Sequence, residues 1–297
     1  MAQALAPKVA RLQQLQKYLH GKPQRGERLI IVGGAPRSGT TMFQSMMNSH
    51  PQIHGGPEFD HLTDIIKLHG TLSLGLQRER IDLFVDQEQI DDAVAQLIES
   101  LLLAPAERHK KHYLSEKTPK NVLDFKTLMR ILPRARFVHI VRDPRAVFMS
   151  MFMVGKRLDE GEYDRPDFIA DTEQMVEHIV RCVTAGIEAC ETAPDRSVTI
   201  RYEDLLTRTH YLMEHVFSTL GLPYDAAVLS PADHKHEHER LLLGGADPWV
   251  GGRGSFTNPR LENLDKWRKG LAAEEIETLN GHFRAYPIFA ALGYTFD

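Results

Sequence analysis

The chain is poor in cysteine, carries little net charge and has no long apolar run, and each shortage narrows what it can be. Its 297 residues include only two cysteines, Cys182 and Cys190. Both fall in a segment with helical periodicity, where two turns separate them by about 12 Å, too far for a disulfide. A disulfide-stapled scaffold is excluded, and a reducing compartment, the cytoplasm, is expected. No segment approaches the roughly 18 uninterrupted apolar residues of a membrane span. The N-terminal stretch sets Val9, Leu12, Leu15 and Leu19 at helical spacing among charges. That pattern predicts a helix over 5–19 and not a signal peptide. The formal net charge of −4 lacks the basic surface that sequence-independent nucleic-acid binding needs.

What is present is ordinary globular composition, 42% hydrophobic and 26% charged, sufficient for a large core. An apolar run without polar alternation occupies 29–32, 136–142 is another apolar, β-branched run, 197–202 is a further strand, and 113–117 is a shorter candidate strand. Such runs suit parallel strands covered on both faces. Helical patterns lie at 40–50, 87–103, 119–131, 143–154, 168–192 and 203–219. The alternation predicts an α/β fold of three layers, αβα, around a central, mostly parallel sheet. No repeat or linker interrupts it, so a single domain over 1–297 is expected. Within it, 1–22 reads as a helical extension and 230–259 as an irregular surface or active-site loop. Ligands in such folds sit beyond the carboxyl ends of the strands, and polar motifs follow Val32, Val141 and Ile200 at those ends.

The first motif is Gly33-Gly34-Ala35-Pro36-Arg37-Ser38-Gly39-Thr40-Thr41, between a strand and a helix. Backbone N–H groups and the aligned peptide dipoles at a helix start bind anions. Gly34 and Gly39 are spaced as in a nucleoside-triphosphate loop, but Thr40 stands where that loop has its lysine. A kinase or nucleotide hydrolase would lack the charge that reaches the terminal phosphates. Arg37 offers a charge of its own, and Ser38, Thr40 and Thr41 offer hydroxyl donors. The second motif runs from Phe137 through Arg142-Asp143-Pro144-Arg145 to Ser150. Helical side chains tilt toward the N-terminus, so Arg142 and Ser150 can converge on one anion. Alone, Arg142 and Asp143 read as a capping pair; beside a phosphate-type loop on another strand end, they read as a second anion site.

IVGGAPRSGTTMFQSMMNSHP (31–51) resembles the 5′-phosphosulfate loop of the sulfotransferases that use 3′-phosphoadenosine 5′-phosphosulfate (PAPS), above all the tyrosylprotein and bacterial branch. The segment 137–150 resembles the same family's 3′-phosphate motif. The resemblance implies a single α/β domain related to P-loop nucleotide kinases. It implies that Arg37, Ser38, Gly39, Thr40 and Thr41 hold the phosphosulfate, and that Arg142 and Ser150 grip the 3′-phosphate. Two phosphate sites are what distinguish PAPS from ATP. Tyr202, in Ile200-Arg201-Tyr202-Glu203-Asp204-Leu205, is by itself a core tyrosine, a purine stack or a phosphate partner. A similar family segment has its tyrosine at the nucleotide. Ser255, Arg260 and Lys266 resemble the last cofactor loop, although the Ser255–Lys266 spacing differs from the tyrosylprotein enzymes.

For chemistry, the family's glutamate-dependent members place a general base where Glu58 stands in Gly55-Gly56-Pro57-Glu58-Phe59. By position alone Glu58 also fits a helix N-terminal carboxylate held by the dipole, and His54 and His61 are alternative bases. The resemblance implies that Lys117, before Thr118-Pro119, stabilises the leaving phosphate oxygen; a surface lysine is the plain alternative. Arg37 and Ser255 complete the catalytic set. The expected reaction is in-line sulfuryl transfer from PAPS to a hydroxyl or amine of a small molecule, glycan or lipid head group, leaving adenosine 3′,5′-bisphosphate, with no metal. The run Asp233-His234-Lys235-His236-Glu237-His238-Glu239 reads as a solvated mixed-charge loop rather than a metal centre. A non-catalytic nucleotide binder of the same fold is the remaining alternative, against which Glu58 and Lys117 argue. A homodimer stays open.

Overall fold

Every residue of Leu29–Gly34 is buried, as a strand covered on both faces requires. In the computed structural model, which describes residues 25–234, 248–249 and 261–296, this run is β1. It is the central strand of a five-stranded sheet. Beside it lie β2 (Ile53–Gly55), β3 (Tyr113–Lys117), β4 (Arg136–Val141) and β5 (Ser197–Arg201), in the order β2-β3-β1-β4-β5. All pairings are parallel. The chain runs from β1 out to β2, returns to β3, then crosses to β4 and β5. The direction of winding therefore reverses at β1, and the crevice of such a fold opens beyond the ends of β1 and β4.

Alternate residues of β1 feed two cores, because successive strand side chains point to opposite faces. Leu29 and Ile31 join Leu114, Phe137 and Val141 in one cluster. That cluster is covered by α2 (Leu62–Gln77), α3 (Gln87–Arg108), α4 (Phe125–Ile131), α5 (Pro144–Glu160) and α6 (Thr172–Glu191). Ile30 and Val32 join Val138, Ile140, Val198 and Ile200 in the other. Its cover is α1 (Thr40–Ser49), α7 (Tyr202–Thr207) and α8 (Thr209–Thr219). The three-layer arrangement is the one expected from the alternation of strands and helices. The short helices α9 (Lys266–Gly270), α10 (Ala273–Arg284) and α11 (Pro287–Ala291) close the first face. They are fastened by Arg145, which is 5% exposed. Its guanidinium donates to both oxygens of Asp143 at 3.0 and 2.8 Å and to Asn280 Oδ1 at 2.9 Å. It also lies over the rings of Trp267 and Phe296.

Several elements depart from the sequence reading. α3 passes through Pro105 to Arg108 instead of ending at 103. The expected helix 119–131 begins as a 3-10 turn over Pro119–Asp124, and 203–219 breaks at Arg208 into α7 and α8. α6 starts at Thr172, where the Asp171 side chain accepts from Gln174 N–H at 2.9 Å. β2, α2 and the three C-terminal helices are additions. The expected helix over 5–19 lies outside the described residues. Cys182 and Cys190 are free and buried in α6, and burial pushes the Cys182 thiol up to about 12. No helix among the described residues is long and apolar enough to cross a membrane.

His139, in β4, is fully buried with Nε2 unpartnered, and burial pushes it down from 6.5 to about 3. Between those values the unfolded chain takes up a proton that the folded chain refuses, so stability falls as pH drops through the window. The slope for one such histidine reaches about 1.4 kcal/mol per pH unit. We expect acid-side destabilisation beginning near pH 6.5, and a shallower slope in His139→Leu, read by urea unfolding across the window.

Candidate active site

The loop after β1 is tight. Ser38 N–H donates to the Ala35 carbonyl at 3.1 Å, and the turn holds Arg37 at φ 75° and Gly39 at φ 101°. A non-glycine residue at positive φ is strained by roughly 1–3 kcal/mol and persists only where its surroundings enforce it. Two glycines are dictated by close approach. A Cβ on Gly34 would overlap the Ile140 carbonyl of β4, and one on Gly39 would overlap the Tyr202 ring. α1 then begins at Thr40 with no side-chain cap, leaving first-turn N–H groups free for an anion. The Ser38 hydroxyl is buried inside the loop without a partner, an arrangement that an incoming phosphate-type oxygen would relieve. The helix after β4 differs: Asp143 caps α5 by accepting from Arg145 N–H at 3.0 Å, and Pro144 follows. Any anion there must be met by side chains.

Those side chains converge on the first loop. Arg142 donates from one nitrogen to the Arg37 carbonyl and from another to the Asn263 carbonyl, each at 3.1 Å. Its guanidinium lies 4.4 Å from the Tyr202 ring centre. Arg37 donates to Ser150 Oγ at 3.0 Å and to the Trp249 carbonyl at 2.6 Å. The sequence reading paired Ser150 with Arg142. The structure instead gives Ser150 to Arg37, because Arg142 is drawn the other way, onto the Arg37 backbone. The two motifs thus meet beyond the ends of β1 and β4. Tyr202 is buried in the second core, packed between Gly39 and Arg142, and burial raises its pKa. Behind Arg142, Glu203 accepts from Asp143 N–H and from the Tyr294 hydroxyl, both at 2.9 Å.

Lys117 is no surface lysine: it is 3% exposed at the end of β3. Its ammonium donates to Thr41 Oγ1 at 3.2 Å and forms a short contact with Glu58 Oε1. Glu58 precedes the start of α2 at Leu62, so it stands in the loop and not in the helix's first turn. The alternative bases point elsewhere. His54 stacks on His109 at 4.6 Å, and His61 lies exposed beside Asp64 at 3.3 Å. Lys266 is exposed at the start of α9, and the neighbouring Trp267 is buried under Arg145. Ser255, Arg260 and 235–239 of the histidine run lie outside the described residues. Among the described residues no group of three or more His, Cys, Asp or Glu could hold a metal. The sequence reading gave no role to Glu116, Asn121, Glu203 or Asn263, all of which contact the site's framework; Glu203 stood inside a quoted motif, and Glu116 was legible as a charge within a buried strand.

A model of the sulfotransferase family matches residues 29–226, which spans β1 to the segment after α8. The chain belongs to the PAPS-dependent sulfotransferase family. This sulfotransferase is 25% identical over 270 residues to protein-tyrosine sulfotransferase 1 of Danio rerio, covering 90% of this chain and 72% of that one. It is 25% identical over 278 residues to protein-tyrosine sulfotransferase 2 of Gallus gallus, covering 90% and 69%. In fold it resembles the sulfotransferase domain from the curacin biosynthetic pathway, with a TM-score of 0.55, 16% identity, and coverage of 84% of this chain and 92% of that one. Gly39→Ala is expected to displace Tyr202, and Arg142 with it. Affinity for adenosine 3′,5′-bisphosphate should fall at least about tenfold, since strain and overlap exceed about 1.4 kcal/mol. Calorimetric titration checks this.

Proposed function

We propose that this sulfotransferase moves a sulfuryl group from PAPS to a hydroxyl or amine of a small molecule, a glycan or a lipid head group. The observation that carries the reading is the contact between the two strand-end motifs, in which Arg142 holds the Arg37 carbonyl at 3.1 Å. Two anion-binding strand ends in contact suit a nucleotide with phosphate at both its 3′ and 5′ positions. PAPS supplies the sulfuryl group, whose bond to the 5′-phosphate oxygen breaks as one to the acceptor forms.

The start of α1 with Ser38, Gly39, Thr40 and Thr41 binds the phosphosulfate, and Arg37 adds charge beside it. Arg142 and Ser150 bind the 3′-phosphate, the latter once Arg37 turns from it to the ligand. Tyr202 walls the crevice, and Ser255, Arg260 and Lys266 are assigned to the closing segment. Glu58 Oε1 takes the acceptor proton. Lys117, already bonded to both Glu58 and Thr41, donates toward the departing phosphate oxygen. Fixed donors aimed at developing charge do most of the work in such transfers.

Near Glu58, Lys120 pairs with Asp60 at 3.2 Å and Lys67 with Asp64 at 3.2 Å, so these two cations are matched by carboxylates. Two buried free thiols suit the cytoplasm. A P-loop kinase is the competing reading, and the lysine missing at Thr40 weighs against it.

Adenosine 3′,5′-bisphosphate should bind more tightly than ATP; the reverse order would sink the donor assignment. Arg142→Ala should weaken that binding by about 1.5–3 kcal/mol, the range for a hydrogen bond to a charged group. Glu58→Ala should lower kcat by roughly 10²–10⁴ with nucleotide affinity unchanged. A mass-spectrometric screen of para-nitrophenol, glucosamine, a glycolipid and an acidic tyrosyl peptide tests the acceptor class, and preference for the peptide would overturn it.

A further inference from the structure

Glu116 is a buried carboxylate for which the reaction above has no direct use. It lies in β3 and is 3% exposed. Its Oε1 accepts from Phe59 N–H at 3.2 Å and from the Thr118 hydroxyl at 2.6 Å, and its Oε2 accepts a short bond from Asn121 Nδ2. Thr118 Oγ1 in turn accepts from Asp60 N–H at 3.4 Å. Asn121 and Thr118 are themselves buried. One carboxylate therefore binds the backbone on the far side of Glu58 and side chains just beyond Lys117. A second brace holds the near side, where Gln44 Nε2 donates to the Gly56 carbonyl at 3.3 Å and to the Ser115 carbonyl at 2.7 Å.

A carboxylate buried this deeply would be unfavourable without partners, and all three donors satisfy it. Burial raises its pKa while the hydrogen bonds from Thr118, Phe59 and Asn121 oppose the rise. Ordinary surface packing does not require such a group: an apolar residue at 116 would fill the space without asking for three donors. What the carboxylate adds is a fixed distance between the loop carrying Glu58 and the strand end carrying Lys117.

We propose that Glu116 is a positioning residue for sulfuryl transfer, holding the 57–60 loop against the end of β3 so that Glu58 meets the acceptor while Lys117 meets the leaving oxygen. The inference rests on the donor and base assignments of the preceding section. A misplacement of about 1 Å in such a constellation lowers turnover by up to about 10²-fold.

The test compares wild type, Glu116→Gln and Glu116→Gln/Asn121→Asp in PAPS turnover with the same acceptor panel, alongside calorimetry with adenosine 3′,5′-bisphosphate. Glu116→Gln removes the charge that three donors share and replaces one acceptor oxygen by an amide donor, so Asn121 must turn its amide to meet it. It should lower kcat by about 10–10²-fold with nucleotide affinity within about twofold of wild type, since the α1 and Arg142 contacts are untouched. The double variant restores a carboxylate–amide pair with the roles exchanged, and should recover most of the lost kcat. Thr118→Val, which removes the hydroxyl donor to Glu116 and the bridge to the Asp60 amide but leaves the Phe59 and Asn121 bonds in place, should lower kcat in the same direction by a smaller factor.

Wild-type kcat in Glu116→Gln, or in Thr118→Val should the glutamine variant fail to fold, would overturn the inference. So would a loss of kcat matched by an equal loss of nucleotide-binding sites, or a folded double variant with no recovery. A wild-type chain that binds no adenosine 3′,5′-bisphosphate would remove the donor assignment itself, which is a different result from any of these.

Discussion

The hydrogen bond from Arg142 to the Arg37 carbonyl is the contact on which the site depends. It joins the end of β4 to the loop after β1, and the parallel register that pairs Gly34 with Ile140 makes it reachable. Gly34 lies against the Ile140 carbonyl with no room for a side chain, so the loop leaves β1 as close to β4 as backbone allows. Arg37 is held at positive φ there. Its carbonyl faces Arg142 while its side chain reaches Ser150. A single strained residue thus reports on both motifs.

The two helices that follow these strands solve the problem of their first N–H groups in opposite ways. α5 satisfies its own start through Asp143 and Pro144, and that closure lets Arg145 turn inward to bind the C-terminal helices. α1 leaves its start open. Stability is invested at one strand end and binding capacity at the other, a division that follows from a single residue before each helix: an aspartate in one case, a glycine in the other.

Much of this was legible in the sequence, for identifiable reasons. β1 was visible because a strand buried on both faces carries an unbroken apolar run, and β4 and β5 because β-branched residues concentrate in them. The loop motifs were visible because glycine, arginine and hydroxyl residues cluster where those strands stop. α2 was not, because only Leu62, Ile65, Ile66 and His69 of its sixteen residues are buried, and glycines at 70 and 75 blur the helical period. β2 is three residues long, too short for any period to register. The contact between Arg37 and Ser150 was not legible for a geometric reason: helical tilt gives the direction of a side chain but not which of two arginines arrives there. Lys117 and Glu58 were found through resemblance. Glu116 was not, since its three donors come from segments whose convergence only the folded chain reveals.

Glu116 and Lys117 are consecutive in β3, register with Ile31 and Val32, and so point to opposite faces of the sheet. A slip of β3 by one residue against β1 would exchange them. It would send an ammonium into the apolar layer and aim a carboxylate at the phosphate loop. Such a misaligned chain could neither bury its charges nor bind an anion. The strand therefore carries its own check on alignment, in which the error that ruins chemistry is also the one that destabilises the folded state.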